Sequence, residues 1–108
     1  MDDQQFKKIS GDALETLQRD LERASEKYDF DVDMNQGALT VEFEEPKTRF
    51  VVSPNSPVRQ IWVSARVKSF KLDWDEARAA FVFREDGRTL HELMAGVIGE
   101  QLDEAVTL

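Results

Sequence analysis

The spacing of apolar residues changes twice along this chain, and these changes limit its possible folds more than any other feature. From residue 4 to roughly residue 26 the apolar residues recur every three or four positions, the period of an amphipathic helix. They are Phe6, Ile9, Ala13, Leu17, Leu21, Ala24 and Tyr28. From Asp29 the period becomes two, which is typical of half-buried strands. From Thr89 it is helical again.

The region of period two predicts about six short antiparallel strands. Their predicted bounds are Asp29–Met34, Leu39–Glu44, Phe50–Val52, Arg59–Ser64, Ser69–Leu72 and Ala80–Arg84. A turn at residues 35–37 joins the first two into a hairpin. Pro54 and Pro57 exclude a regular strand after Ser53, and the polar residues 73–76 predict a turn.

The last helix begins with a recognisable capping box. Thr89 is followed three residues later by Glu92, so the threonine side chain can accept from a helical amide while the glutamate reaches back. Each helix has one apolar stripe and most strands have one apolar face. The expected fold is therefore α+β, a two-layer α/β sandwich in which both terminal helices cover one face of the antiparallel sheet. The whole chain, residues 1–108, is predicted to form a single domain.

The composition excludes several classes of function. A formal net charge of -8 disfavours nucleic acid, because phosphate contacts need clustered lysine and arginine. The absence of cysteine excludes disulfides and thiolate metal sites, and one histidine, His91, cannot form a multi-histidine zinc site. No apolar run is long enough to span a membrane. With no signal or transit sequence at its start, the chain is expected to be cytoplasmic.

Acidic residues are concentrated where the first helix meets the first strand. They are Asp20, Glu22, Glu26, Asp29, Asp31 and Asp33. Residues two apart in a strand share a face, so the aspartates at 29, 31 and 33 are expected to form a ladder whose mutual repulsion favours a cation. Oxygen ligands without histidine or cysteine suit a hard cation in an open, weak site. Composition by itself favours the simpler interpretation of a solvated face, and Arg19 can neutralise neighbouring acids.

The predicted fourth strand contains a candidate contact residue. Alternation places Trp62 and Gln60 on the sheet face opposite Ile61 and Val63, where an exposed tryptophan can anchor a partner protein. The alternative is that Trp62 is covered and only packs. His91 is expected to be a surface residue and Trp74 a packing residue. No catalytic residue is identifiable, and no phosphate loop or nucleophile motif occurs.

Three sequence motifs within this order of elements resemble the frataxin family, and in particular its bacterial, CyaY-type branch. They are Gly37-Ala38-Leu39-Thr40-Val41, Gln60-Ile61-Trp62-Val63-Ser64 and Leu90-His91-Glu92-Leu93. The resemblance extends from Phe6 to Leu102. It implies a two-layer sandwich that binds Fe2+ and Fe3+ weakly on an acidic ridge and regulates iron–sulfur cluster assembly. The implied partners are the cysteine desulfurase and the iron–sulfur scaffold protein.

Carried over by position, the resemblance assigns the six acidic residues to the iron ridge and Gln60 and Trp62 to the partner-binding face. The chain departs from the family pattern at Gln18, Arg19 and Arg23, which make the helical part of the ridge less acidic, and at Ser53, where an asparagine is common. We expect a monomer that iron could assemble into an oligomer. Two alternatives stay open: a ferroxidase or iron-storage protein, and an acidic interaction module without a metal.

Overall fold

A computed structural model describes residues 1–108, and its first element is helix α1, Asp3–Ala24. The helix begins with a capping box: the Asp2 side chain accepts from the Gln5 amide at 2.8 Å, and the Gln5 side chain accepts from the Asp2 amide at 3.0 Å. The apolar stripe of α1 is buried, with Phe6, Leu17 and Leu21 fully covered. The helix ends two residues earlier than its predicted end.

Seven antiparallel strands follow, in a sheet whose spatial order is the order of the sequence. They are β1 (Asp31–Asn35), β2 (Ala38–Glu44), β3 (Lys47–Asn55), β4 (Gln60–Ala65), β5 (Lys68–Asp75), β6 (Ala80–Phe83) and β7 (Arg88–Thr89). A short 3-10 helix, Ser56–Val58, joins β3 to β4. The seventh strand, absent from the predicted set, has only two residues and is too short to produce a period-two pattern.

The second helix, α2, spans Leu90–Leu102, and its predicted capping box is confirmed. The Thr89 hydroxyl accepts from the Glu92 amide at 3.2 Å, and the Glu92 carboxylate accepts from the Thr89 amide at 2.9 Å. These bonds satisfy amides that have no partner within the helix.

Both helices pack on one face of the sheet, which confirms the predicted sandwich. The core joins the apolar stripes of the helices to the inward side chains of β2 to β6, with Phe50, Ile61, Leu72, Leu93 and Ile98 fully buried or nearly so. The other face of the sheet carries no helix. We call it the outer face.

Two predicted strand ends were wrong by three residues, and the other four agree with the structure to within one residue. Strand β3 continues through Pro54, which pairs with Ile61 of β4. Pairing of β3 with β2 stops at Val52, so the missing N–H of proline falls where β3 has a neighbour on only one side, a position that tolerates proline. Strand β5 continues to Asp75, because Trp74 pairs with Phe81 and extends the buried series of Phe70 and Leu72.

The start of β1 also differs from the prediction. The strand begins at Asp31, and Asp29 lies in a bend before it. Phe30, between them, is buried against the core and contacts Phe43, with 6.0 Å between the ring centroids. The strand ladder therefore consists of Asp31 and Asp33, with Asp29 outside the regular sheet.

Candidate functional site

We call the six predicted acidic residues the acidic edge. They are Asp20, Glu22, Glu26, Asp29, Asp31 and Asp33. All except Asp20 are exposed. Only Asp20 has an ion-pair partner within 4.0 Å. The other five carboxylates are therefore open to solvent and to ions at the end of α1 and along β1.

Asp20 and Glu22 lie on different flanks of α1. Residues two positions apart in a helix are separated by about 200° around its axis. The flank of Glu22 includes Glu15 and Gln18, which line a small groove with Met34 of β1. The flank of Asp20 includes Thr16, which lines a cavity together with His91 of α2. The helical part of the acidic edge is thus divided between the β1 side and the α2 side.

A hydrogen bond between the side chains of Asp20 and His91 joins the two helices. Its Oδ2 lies 2.8 Å from Nε2 of His91, a residue 71 positions away, and its Oδ1 lies 3.7 Å from Arg23. Both Asp20 and His91 are half-buried. His91, which was predicted to be a surface residue, is therefore partly buried and contacts Asp20, one of the predicted ridge residues. Asp20 is less available to a cation than the five exposed carboxylates.

The aspartate ladder continues onto the neighbouring strand. Asp31 pairs directly with Glu42 of β2, and Glu42 pairs with Arg49 of β3. Asp31, Glu42 and Arg49 are all exposed. Like charges at directly opposite positions in antiparallel strands destabilise the pair. Glu42 was missing from the predicted site, although the two-residue turn Gln36-Gly37 fixes this register.

The carboxylates of the acidic edge do not converge on a point. No group of three or more histidine, aspartate or glutamate side chains is arranged to hold a metal ion. The donor set consists of carboxylates spread along a strand and a helix end, which suits water-rich binding of a hard cation at a few oxygens. A closed cage would need the side chains or the chain itself to move.

The second predicted site, on β4, is an ordered group of side chains that we call the tryptophan platform. Trp62 is 37% exposed and lies on the outer face, as the alternation predicts. Its indole N–H donates to Gln60 Oε1 at 2.8 Å, and Gln60 Nε2 donates to Asp73 Oδ1 at 3.1 Å. Lys71 lies over the ring, with Nζ 4.8 Å from the centroid, a cation–π contact. Lys71 and Asp73 were not predicted.

The strand part of the acidic edge, Asp31 and Asp33, shares the outer face of the sheet with the tryptophan platform. Asp33, Thr40, Val51 and Ser64 form one row across β1 to β4, and Trp62 lies two residues from Ser64 along β4. Strand spacing and rise then place the backbones of Asp33 and Trp62 roughly 16 Å apart. One partner surface of ordinary size can cover both.

Two carboxylates outside the acidic edge, Glu92 and Asp86, have hydrogen-bond donors that lower their pKa. The amide of Thr89 donates to Glu92 and holds the pKa of that carboxyl below its ordinary value. The amide and guanidinium of Arg88 do the same for Asp86, with the amide contribution the larger, and lower its pKa. Hydrogen bonds to the charged form favour that form. No side chain or amide donates to the five exposed carboxylates of the acidic edge.

Comparison with known proteins places this arrangement in a family. The sequence model of one protein family, described as the frataxin-like domain, matches residues 1–104 of this chain. This chain belongs to the frataxin family. Among solved structures, frataxin from Psychromonas ingrahamii, described as belonging to the CyaY protein family, superimposes with a TM-score of 0.84 over 99% of this chain and 97% of its own, at 21% identity.

Named bacterial relatives of this frataxin agree with the CyaY type. An iron–sulfur cluster assembly protein CyaY of Azotobacter vinelandii is 37% identical over 93 residues, which cover 84% of each chain. The protein of the same name from Pseudomonas aeruginosa is 37% identical over 78 residues, covering 70% of this chain and 69% of its own. The resemblance stated from sequence motifs is confirmed. No helix of this frataxin has the length and apolarity to cross a membrane.

Proposed function

We propose that this frataxin is an iron-responsive regulator or adaptor of iron–sulfur cluster assembly. The names of its CyaY relatives support the pathway. In this proposal the acidic edge binds Fe2+ or Fe3+ weakly, and the outer face of the sheet contacts a cysteine desulfurase and its scaffold protein. The protein acts in the cytoplasm as a monomer.

The observation that carries the proposal is the row of exposed carboxylates without basic partners on β1. Asp31 and Asp33 share a face, and Glu42 extends the row to β2. Their repulsion is present in the metal-free fold and is relieved when a cation or a basic surface approaches. On a purely solvated face, lysines or arginines could neutralise the acids at little cost. Asp31 and Asp33 have no basic group within 4.0 Å, and Arg49 lies opposite Glu42 in the sheet without forming an ion pair with it.

The tryptophan platform supports the second half of the proposal. A large aromatic side chain that is partly exposed, and whose orientation is fixed by Gln60, pays little conformational entropy when a partner covers it. The acidic edge on the same face would attract a basic partner and increase its rate of association. No arrangement of side chains specifically favours the ferroxidase alternative.

An NMR titration with Fe2+ under anaerobic conditions tests the iron site. We expect paramagnetic broadening of the amide signals of residues 22–33 and of Glu42, with residue 20 affected less because its carboxylate is paired. The double variant Asp31→Asn, Asp33→Asn should weaken the broadening several-fold. The double variant Glu76→Gln, Glu85→Gln is the matched control, since it removes two exposed carboxylates on the β5–β6 and β6–β7 turns.

Two results would contradict the iron site. Broadening centred elsewhere would show that the acidic edge is not the binding surface. An equal loss of binding in the Glu76→Gln, Glu85→Gln control would show that iron responds to net charge only. Calorimetry of desulfurase binding with and without Fe2+ then separates an iron-responsive adaptor from an acidic module that binds without metal.

A further inference from the structure

The side of β1 that faces away from β2 is a free margin of the sheet, and the hairpin turn fixes which backbone groups point toward it. Strand β1 pairs only with β2. Gln36 and Gly37, which join the two strands, have φ of 53° and 81°, as in a two-residue type I′ turn. The flanking residues Asn35 and Ala38 face each other and form a hydrogen-bonded pair, from which bonded and non-bonded pairs alternate along the ladder.

This alternation leaves two residues of β1 with outward-facing backbone groups. Asp31 and Asp33 fall at bonded positions and face β2. Val32 and Met34 fall at non-bonded positions, so their N–H and C=O groups point toward the free margin. No backbone hydrogen bond outside the sheet ladder reaches these groups. Such a row of unpaired groups is a template for one more strand.

An open groove of about 480 Å³ lies beside the free margin, between α1 and the end of β1. Leu14 lines it from α1 and Met34 from β1, which gives the groove an apolar part. Gly11 also lines it, and a Cβ added there would meet no atom within 4 Å. Facing residues of paired strands share a side of the sheet. The side chains of an added strand that lie opposite Val32 and Met34 would therefore point toward this groove.

The remaining side chains of an added strand would lie beside the carboxylates of β1. Asp31 and Asp33 are exposed on the outer face, and neither has a basic group within 4.0 Å. Opposite charges at facing positions stabilise a strand pair, and like charges destabilise it. The free margin therefore favours a strand with basic residues at alternate positions and rejects one with acidic residues there.

We propose that the free margin of β1 binds an extended segment of a partner protein in which lysine or arginine alternates with apolar residues. The segment adds to the sheet as an antiparallel strand, as in every other strand pair of this protein. Its apolar residues exchange backbone hydrogen bonds with Val32 and Met34, and its basic residues pair with Asp31 and Asp33. Docking requires neither iron nor the tryptophan platform, so its failure and that of the function proposed above are separate outcomes.

The probe is the peptide acetyl-Lys-Val-Lys-Val-Lys-amide, whose five residues match the length of β1. It is titrated without iron into the full-length 15N-labelled protein. In the free protein, the amides of Val32 and Met34 should exchange with solvent faster than that of Asp33, which bonds to β2. The peptide should move both signals downfield and slow their exchange several-fold, and leave the amide of Arg88 on the opposite margin unchanged. Unmoved signals at millimolar peptide would overturn the proposal.

Two N-methylated isomers of the peptide separate backbone pairing from charge attraction. In an antiparallel strand whose lysines face outward, the valine N–H groups point toward β1 and the lysine N–H groups point away. Methylation of both valine amides should weaken binding about 30-fold, the value of two neutral hydrogen bonds. Methylation of two lysine amides keeps the same composition and charge and should have little effect. Equal weakening by the two isomers, or a greater loss with methylated lysine, would contradict antiparallel docking.

The charge of the peptide and the state of the protein give two further checks. The peptide acetyl-Glu-Val-Glu-Val-Glu-amide should leave the Val32 and Met34 signals in place, and binding as strong as that of the lysine peptide would refute selection by the aspartates. Translational diffusion of the protein alone should not slow with rising concentration. Slower diffusion, with exchange of the same two amides suppressed, would assign the free margin to a second copy of the chain instead.

Gly11→Leu tests the groove without altering β1. Leucine is a better helix former than glycine, and an added Cβ meets no neighbour at this position, so the variant should stay folded. The new side chain should occupy part of the groove and weaken peptide binding several-fold. Gly11→Ala is the matched control and should bind nearly as well as the wild type. Wild-type affinity in Gly11→Leu would show that the inward side chains of the peptide do not enter the groove, contrary to the proposal.

Discussion

The strand part of the acidic edge, Asp31 and Asp33, lies on the same face of the sheet as the tryptophan platform, but the protein arranges the polar groups of the two regions in opposite ways. On the platform, Trp62 donates to Gln60, Gln60 donates to Asp73, and Lys71 covers the ring. On the edge, Asp31 lies opposite Glu42, and neither carboxylate has a basic group within 4.0 Å, although Arg49 is the next residue across the sheet. The side chains of the platform are ordered by their own contacts, and the edge keeps two carboxylates at directly opposite positions.

This difference separates two kinds of recognition. A preordered aromatic group loses little entropy on binding, and salt screens its contacts only weakly. A row of exposed like charges gains most from an external cation, and its interactions are screened within about 10 Å at 0.1 M salt. In the proposed function the platform therefore holds a partner protein and the edge responds to ions. Four variants test this division.

Removing the ring of the platform should have the largest effect. Trp62→Ala is expected to weaken binding of the cysteine desulfurase by at least about 2 kcal/mol, or roughly 30-fold, as for other aromatic anchors. Calorimetry measures the affinity, and thermal unfolding should change little because Trp62 is already 37% exposed. The control is Val67→Ala on the β4–β5 turn, where Val67 is 98% exposed. Unchanged affinity in Trp62→Ala would remove the platform from the docking face.

Loosening the platform without removing the ring should have an intermediate effect. Gln60→Ala takes away the acceptor of the Trp62 indole and is expected to weaken desulfurase binding by about 1 kcal/mol, the net value of one hydrogen bond. Ser64→Ala, on the same strand and face, is the matched control. If both variants bind equally well, the orientation of Trp62 is set by Lys71 and the neighbouring strands alone.

Neutralising the edge should stabilise the protein slightly. Asp31→Asn removes one side of the repulsive pair with Glu42, and we expect the free energy of unfolding to rise by a few tenths of a kcal/mol at low salt. Urea unfolding at 0.02 M and 0.5 M salt measures this gain, which should vanish at the higher concentration. Asp29→Asn, outside the strand, is the control. Lower stability in Asp31→Asn would mean that basic residues already pair with the ladder in solution.

Glu92, a carboxylate with hydrogen-bond donors, should stabilise the protein when it is charged, in contrast to Asp31. The folded-state pKa of Glu92 lies below the ordinary value of 4.5 because of the Thr89 amide. Its contribution to stability is therefore present above that value and lost as pH falls through the folded-state pKa. Glu92→Gln keeps an acceptor but does not titrate, so acid unfolding should depend less steeply on pH. Glu100→Gln on the same helix is the control, and equal slopes in both variants would contradict the assignment.

Local signals were enough to predict the frame of this fold. The Thr89 and Glu92 capping box, the hairpin turn at Gln36-Gly37 and the outward direction of Trp62 all follow from residues within a few positions. Such features depend on backbone hydrogen bonds and on the alternation of a strand, which act over short distances in the chain.

The missed features depend on neighbours that are distant in the sequence. The pairing of Asp20 with His91 joins two helices and has no local signature. Pro54 lies in a strand only because β2 ends beside it, and Trp74 continues β5 because Phe81 lies across from it. The opposition of Asp31 to Glu42 was available from the turn, since a two-residue hairpin loop fixes the register.

The open margins of the sheet give the acidic ladder another consequence. Strand β1 pairs only with β2, so its outer backbone groups have no partner in the sheet, while the opposite margin, β7, is two residues long and leads directly into α2. An unpaired strand is a template for intermolecular pairing, and charged side chains are a common defence against aggregation. We therefore expect the exposed aspartates of β1 to disfavour edge-to-edge pairing of two molecules, and neutralising them should weaken that protection.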